Sequence, residues 1–164
     1  MKPIFPRMAP RIAFSAVLSM AGFSTASGAP DSPELAVVVN KSNSLDSVTS
    51  AELRALMLGE KSRWPDGKRA VAVETAPDSP EKALLLKSVV KMSDAILKRY
   101  YLQAAFTGKE VSPPKDVPSS AALKQFVASS PGAIGCILAS QVDDKVKVLK
   151  VDGMAPGQDG YKLR

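Results

Sequence analysis

Residues 45–67, LDSVTSAELRALMLGEKSRWPDG, join two apolar runs, Leu35-Ala36-Val37-Val38-Val39-Asn40 and Ala70-Val71-Ala72-Val73-Glu74. Thr49 and Glu52 have the spacing of a capping box, in which each side chain accepts from the other residue's free backbone N–H. Leu53, Leu56 and Met57 then fall at i, i+3 and i+4, so one face of the predicted helix is apolar. Gly59 suits the left-handed residue that closes a helix, and Trp64-Pro65-Asp66-Gly67 reads as a turn. The stretch therefore predicts strand, helix, turn and strand, a βαβ unit. Leu35–Asn40 is apolar at nearly every position, which suits a parallel strand covered on both faces.

Downstream, Ser79 is an N-cap candidate, Pro80 fits the first helical position and Glu81 favours the positive end of the helix dipole. Ala83, Leu84, Leu86, Val89 and Val90 give that helix its apolar face. Ser93-Asp94 opens another helix through about Phe106, with Leu97, Tyr100, Tyr101, Ala104 and Ala105 inward, closed by Gly108. Three prolines between Glu110 and Pro118 predict extended loop. Ser119-Ser120 starts a shorter helix carrying Leu123, Phe126 and Val127, and Pro131-Gly132 breaks it. Ala133–Leu138 and Val146–Val151 read as strands, the second half-exposed. The expected domain is three-layer α/β, with about four strands and four helices over residues 29–152 and a loose polar tail over 153–164.

Upstream, Lys2, Arg7 and Arg11 precede the apolar run Ile12–Gly22, and small residues follow. This is the pattern of a signal peptide over residues 1–28, with cleavage after Ala26 or Gly28, and it predicts export to the periplasm. No cysteine follows the run, so a lipid anchor is not available. The segment holds three of the 22 basic residues and none of the 16 acidic ones, so the remainder is 19 against 16, or +3 instead of +6. With 5% aromatic residues and the remaining basic side chains scattered, no nucleic-acid partner is expected. Lys82, Lys87, Lys91, Lys98 and Arg99 on the helices read as solvated surface. Histidine is absent, which excludes a Ser-His-Asp nucleophile and a His/Cys zinc site. Cys136 is alone in an apolar strand and reads as a small hydrophobe. Asp143-Asp144 reads as a turn and Trp64 as a side chain packing its turn on the core. No catalytic residue, metal site or cofactor is expected.

The strand ending in V-N, then T-x-x-E-L-x-x-L-x-L-G, then W-P-D-G resembles the phosphate-binding subunits of ABC importers. More closely it resembles the short, single-lobe "PBP-like domain" proteins grouped with them. Phe106-Thr107-Gly108 and Pro131-Gly132-Ala133-Ile134-Gly135 also fit, so the resemblance covers Leu35 to Val151. It implies one lobe of the type II periplasmic binding protein fold, a substrate-binding role, a small oxyanion such as phosphate, a membrane permease as partner, and no enzymatic activity.

In the phosphate-binding relatives an Arg and a Ser-Gly-Thr loop follow the strand that corresponds to Ala70–Val73. Phosphate is held by backbone N–H groups at a helix N-terminus, by hydroxyls and by a bidentate cation. Here that loop reads Glu74-Thr75-Ala76-Pro77-Asp78-Ser79-Pro80, with an acid near the place of the Arg. Pro80 removes a donor, and Asp78 and Glu81 add negative charge. A like charge opposes an anion by up to ~4 kcal/mol at ~4 Å and an effective dielectric of ~20. Hydroxyls survive at Thr75 and Ser79. Two readings stand side by side. In one, Ser42, Asn43, Thr75 and Ser79 bind a small oxyanion. In the other, those residues are ordinary caps and turns, and the lobe is an envelope interaction module contacting a protein partner, or a second copy that rebuilds a two-walled cleft.

Overall fold

The computed structural model describes residues 33–164; the leader expected at residues 1–28 lies outside them. The strands are β1 (Leu35–Val39), β2 (Ser47–Val48), β3 (Val71–Thr75), β4 (Lys115–Val117), β5 (Ala133–Leu138) and β6 (Lys147–Val151). The helices are α1 (Ser50–Met57), α2 (Pro80–Leu84), α3 (Asp94–Thr107) and α4 (Ser120–Ser129). One mixed sheet of six strands in the order β2-β6-β1-β5-β3-β4 carries helices on both faces, the three-layer α/β arrangement expected. The two strands beyond the expected four, β2 and β4, have two and three residues and lie at the sheet's edges. β4 lies inside the proline-rich segment read as loop, where Lys115–Val117 pair parallel with Val73–Thr75.

The organising helix forms as its sequence dictates. Thr49 Oγ1 accepts from Glu52 N at 3.2 Å, and the Glu52 carboxylate accepts from Thr49 N at 3.3 Å. Leu53, Leu56 and Met57 are buried against β1 and β5. Trp64 is buried too, and its Nε1 donates to the Gly132 carbonyl at 3.1 Å. Gly59 has φ +72°, and a Cβ there would stand 1.8 Å from the Ser112 carbonyl oxygen, so only glycine fits this helix end.

The βαβ expectation is corrected. All five residues of β1 are completely buried, but β1 runs antiparallel to both neighbours, β5 and β6. It is separated from β3 by β5, which pairs parallel with β3. An unbroken apolar run reports coverage on both faces, and a central strand is covered whatever its neighbours' direction. Odd residues of β1 face α1, the π-helical segment and the C-terminal residues; Ala36 and Val38 face α4.

Three further expectations change. The second helix passes at Leu85–Val90 into a π-helical segment, ended by left-handed Lys91 at φ 56°. Val89 and Val90 are buried and Leu84 and Leu86 pack on the core as expected; Leu85 is buried in addition, and Ala83 is exposed. On α3, Ala105 is exposed, while Leu97 and Ala104 are buried. Residues 153–164 are not loose: Tyr161 and Leu163 are buried, Tyr161 Oη donates to the Leu35 carbonyl at 2.6 Å, and Leu35 N donates to the Leu163 carbonyl at 2.9 Å. Glu34 anchors the segment, accepting from Gly157 N at 2.6 Å and Arg164 Nε at 2.5 Å.

Replacing Gly59 by Ala forces both a left-handed backbone and a collision with the chain at Ser112. The expected loss is about 2–3 kcal/mol of unfolding free energy in urea denaturation, with an unchanged slope.

Candidate functional site

The C-terminal ends of β3, β4 and β5 lie together at one end of the sheet, because these three strands run parallel. The loop after β3 leads into α2, the loop after β4 into α4, and β5 into a 3-10 turn, Ala139–Gln141. Two helix N-termini therefore start at the same sheet end. Ser79 caps α2 by accepting from Lys82 N at 3.2 Å, and Ser119 caps α4 by accepting from Ala122 N at 3.2 Å.

Thr75 and Ser79 are brought together: Thr75 is buried and its Oγ1 lies 2.6 Å from Ser79 Oγ. Ser42 and Asn43 follow β1, whose direction is opposite to that of β5 and β3, so they stand at the other end of the sheet. Their polar atoms serve the local chain. Asn40 Oδ1 accepts from Ser42 N at 2.9 Å and Ser42 Oγ at 2.7 Å, and Asn43 Oδ1 accepts from Leu45 N at 2.9 Å. Asn40 itself donates to the last carbonyls of α4, Val127 and Ala128, at 2.9 and 2.7 Å. The four candidates thus form two separate pairs.

Two charged residues at the start of α2 dominate the β3 end: Glu81, expected as a first-turn acid, and Lys82, expected as solvated surface. Glu81, in the first turn of α2, is 4% exposed, and its Oε1 accepts from Ser120 Oγ at 2.6 Å. Burial pushes its carboxyl up, but the Ser120 hydroxyl, its own backbone N–H, Gln141 and Ser79 outweigh that and hold it below the usual carboxylate range. Lys82, expected on the surface, is 5% exposed and ion-paired with Glu74. Burial pushes the Glu74 carboxyl up, Lys82 pulls it down, and Asp116 beside it in the β3–β4 ladder pushes it up again; the net direction is up. The Tyr101 phenol is raised by burial and by Glu74, and its hydroxyl is buried without a partner. Asp78 is exposed.

The arrangement can hold negative charge at a helix start, and the protein supplies that charge itself through Glu81. Among the described residues no group of three His, Cys, Asp or Glu side chains is placed to hold a metal ion. Cys136 is buried, and burial pushes its thiol up to about 12, which leaves it unreactive at neutral pH. Asp143 accepts from Lys124 Nζ at 2.7 Å and Lys145 N at 3.1 Å, as a turn residue does. None of the described helices is long and apolar enough to cross a membrane.

No protein-family model matches the chain. Among solved structures the fold is similar to an ABC-type phosphate transport receptor from Vibrio cholerae, with TM-score 0.61 and 22% identity over 76% of this chain and 49% of that one. It is also similar to PstS from Borrelia burgdorferi, with TM-score 0.59 and 12% identity over 76% of this chain and 49% of that one. The chain spans about half the length of these proteins. The fold matches a single lobe of these phosphate-binding proteins, as the resemblance implied.

Two outcomes follow from the buried charges. Lys82→Met leaves Glu74 buried without its cation and is expected to cost about 3 kcal/mol at neutral pH, with Glu74→Gln restoring most of it in the double variant. That cost shrinks on acidification, because the raised Glu74 carboxyl takes up a proton. Glu81 has the opposite sign. Its depressed pKa contributes stability above the ordinary value of 4.5, lost as pH falls through the folded-state value. Thermal melts from pH 6 downward should therefore show a flatter acid limb in Glu81→Gln than in the unaltered protein.

Proposed function

We propose that the chain works outside the cytoplasm as a single binding-protein-like lobe related to the phosphate-binding subunits of ABC importers. In this reading it acts by protein contact and does not deliver phosphate by itself. The observation that carries it is Glu81. Its carboxylate sits in the first turn of α2, buried, and takes up the Ser120 hydroxyl, so the protein's own acid stands where an anion at this helix start would be bound. Thr75 and Ser79 are spent on each other and on the cap, and the neighbouring cation, Lys82, is spent on Glu74.

A surface for protein contact is at hand. Leu102 and Phe106, one turn apart on α3, are 59% and 83% exposed, and Ile96 earlier on the helix is 54% exposed. Neighbouring exposed apolar side chains such as Leu102 and Phe106 favour a contact face. Its partner in this reading is an envelope protein, a membrane permease or a second copy of the chain. The leader pattern at residues 1–28 supports export, with cleavage there and a folded domain beginning near residue 29.

A second reading keeps the ligand: a receptor for a small oxyanion held at Thr75 and Ser79. What favours it is the meeting of two helix N-termini with the hydroxyls of Thr75, Ser79, Ser119 and Ser120 at one sheet end. Ser42 and Asn43, at the opposite end, would then form a separate site.

Calorimetric titration of the purified protein with phosphate, and with sulfate as control, separates the readings. The expected result is no saturable heat at millimolar anion. Saturable binding tighter than about 10 µM, equivalent to about 7 kcal/mol, and lost in the Thr75→Ala, Ser79→Ala double variant, would establish the oxyanion receptor instead.

A further inference from the structure

The sheet face served by α4 is only partly roofed. α4 packs over β4, β3, β5 and β1, with Leu123 and Val127 as its buried side chains. Beyond it, toward β6, the same face forms the floor of a cavity of about 600 Å³. Ala36 and Val148 line this cavity from the sheet, Leu138, Ala139 and Val142 from the end of β5 and the following turn, and Pro156 from the C-terminal segment. The volume lies within the range of small-molecule sites, about 300–1,000 Å³.

The walls define the chemistry of an occupant. Glu34 is the one ionisable side chain among the described lining residues, and it is 2% exposed with both oxygens engaged. Arg164 Nε donates to Oε1 at 2.5 Å and Gly157 N to Oε2 at 2.6 Å. Among the described lining residues no charge is left over for an ionic ligand, and an ion seated against this apolar floor would give up part of its hydration without a counter-charge. The Gly157 bond to Glu34 and the bond from Ala155 N to Gln158 Oε1 at 2.8 Å hold this segment in place as a wall, so its occupant need not order it. Ser140, exposed at the rim, supplies one hydroxyl.

We propose that this cavity is a binding site for an uncharged, predominantly hydrocarbon small molecule. It lies at the same sheet end as Thr75 and Ser79, across the Ala139–Gln141 turn, and it is independent of the anion-type site there.

The test is fluorescence titration of the purified protein with N-phenyl-naphthylamine, an uncharged apolar fluorophore, beside its sulfonated analogue anilinonaphthalene sulfonate. Saturable one-to-one enhancement is expected with the neutral probe, and binding at least about tenfold weaker with the sulfonate. Val142→Asp places a charge in the wall and Ala155→Trp fills the space without one. Each should weaken the neutral probe at least about tenfold, with an unchanged near-ultraviolet circular dichroism spectrum confirming the fold. The proposal is overturned if the neutral probe gives no saturable signal, if both folded variants bind it as the unaltered protein does, if the sulfonate binds equally well, or if sedimentation shows that a second copy covers the face.

Discussion

The burial of β1 is the constraint on which the rest of the structure depends. Five consecutive residues without solvent exposure need apolar partners on both faces and backbone partners on both edges. β5 and β6 satisfy the edges, and both do so antiparallel. Because β5 in turn pairs parallel with β3, the direction of β1 determines which loops meet. It separates the turn after Asn40 from the loop after Thr75 by the length of the sheet. The two faces are then covered unequally: α1, the π-helical segment and the C-terminal residues on one side, α4 on the other.

Charge inside the domain is settled by intramolecular partners. A tethered carboxylate such as that of Glu81 competes with a free anion as if present at very high local concentration, since its translational freedom is already spent. Ser120, 39 residues along the chain, completes that arrangement and ties the starts of α2 and α4 to each other. Glu74 and Lys82 do the same between β3 and α2. Polar groups satisfied in this way fix one relative position of strand and helices, because any sliding leaves a buried charge unpaired.

Signals that act within a few residues were legible in the sequence. The capping pair Thr49 and Glu52, the caps Ser79, Ser93 and Ser119, and the helix-closing glycines Gly59 and Gly108 all work through backbone groups three or four residues away. The closeness of Thr75 and Ser79 belongs to the same local class. What escaped was non-local. The apolar pattern of β1 carries no sign of strand direction, so Ser42 and Asn43 were grouped with residues at the far end. β2 and β4 are too short to show a period and exist only through pairing. The burial of Lys82 depends on Glu74, that of Glu81 on Ser120, and the docking of Tyr161 and Leu163 on the start of β1. The π-helical segment adds Leu85 to the inward face of the second helix, which a fixed period cannot register.

The meeting of Leu35 with Leu163 has a topological consequence. A backbone hydrogen bond joins the first strand to the last residues, and Glu34 is bridged to Arg164 beside it. The folded body therefore has a single doorway through which the polypeptide comes in and goes out. Such a body can be spliced into a surface loop of a host protein, or have its order of elements rotated by joining the doorway and opening a turn elsewhere, without stretching its core. A lobe with this geometry is a portable module.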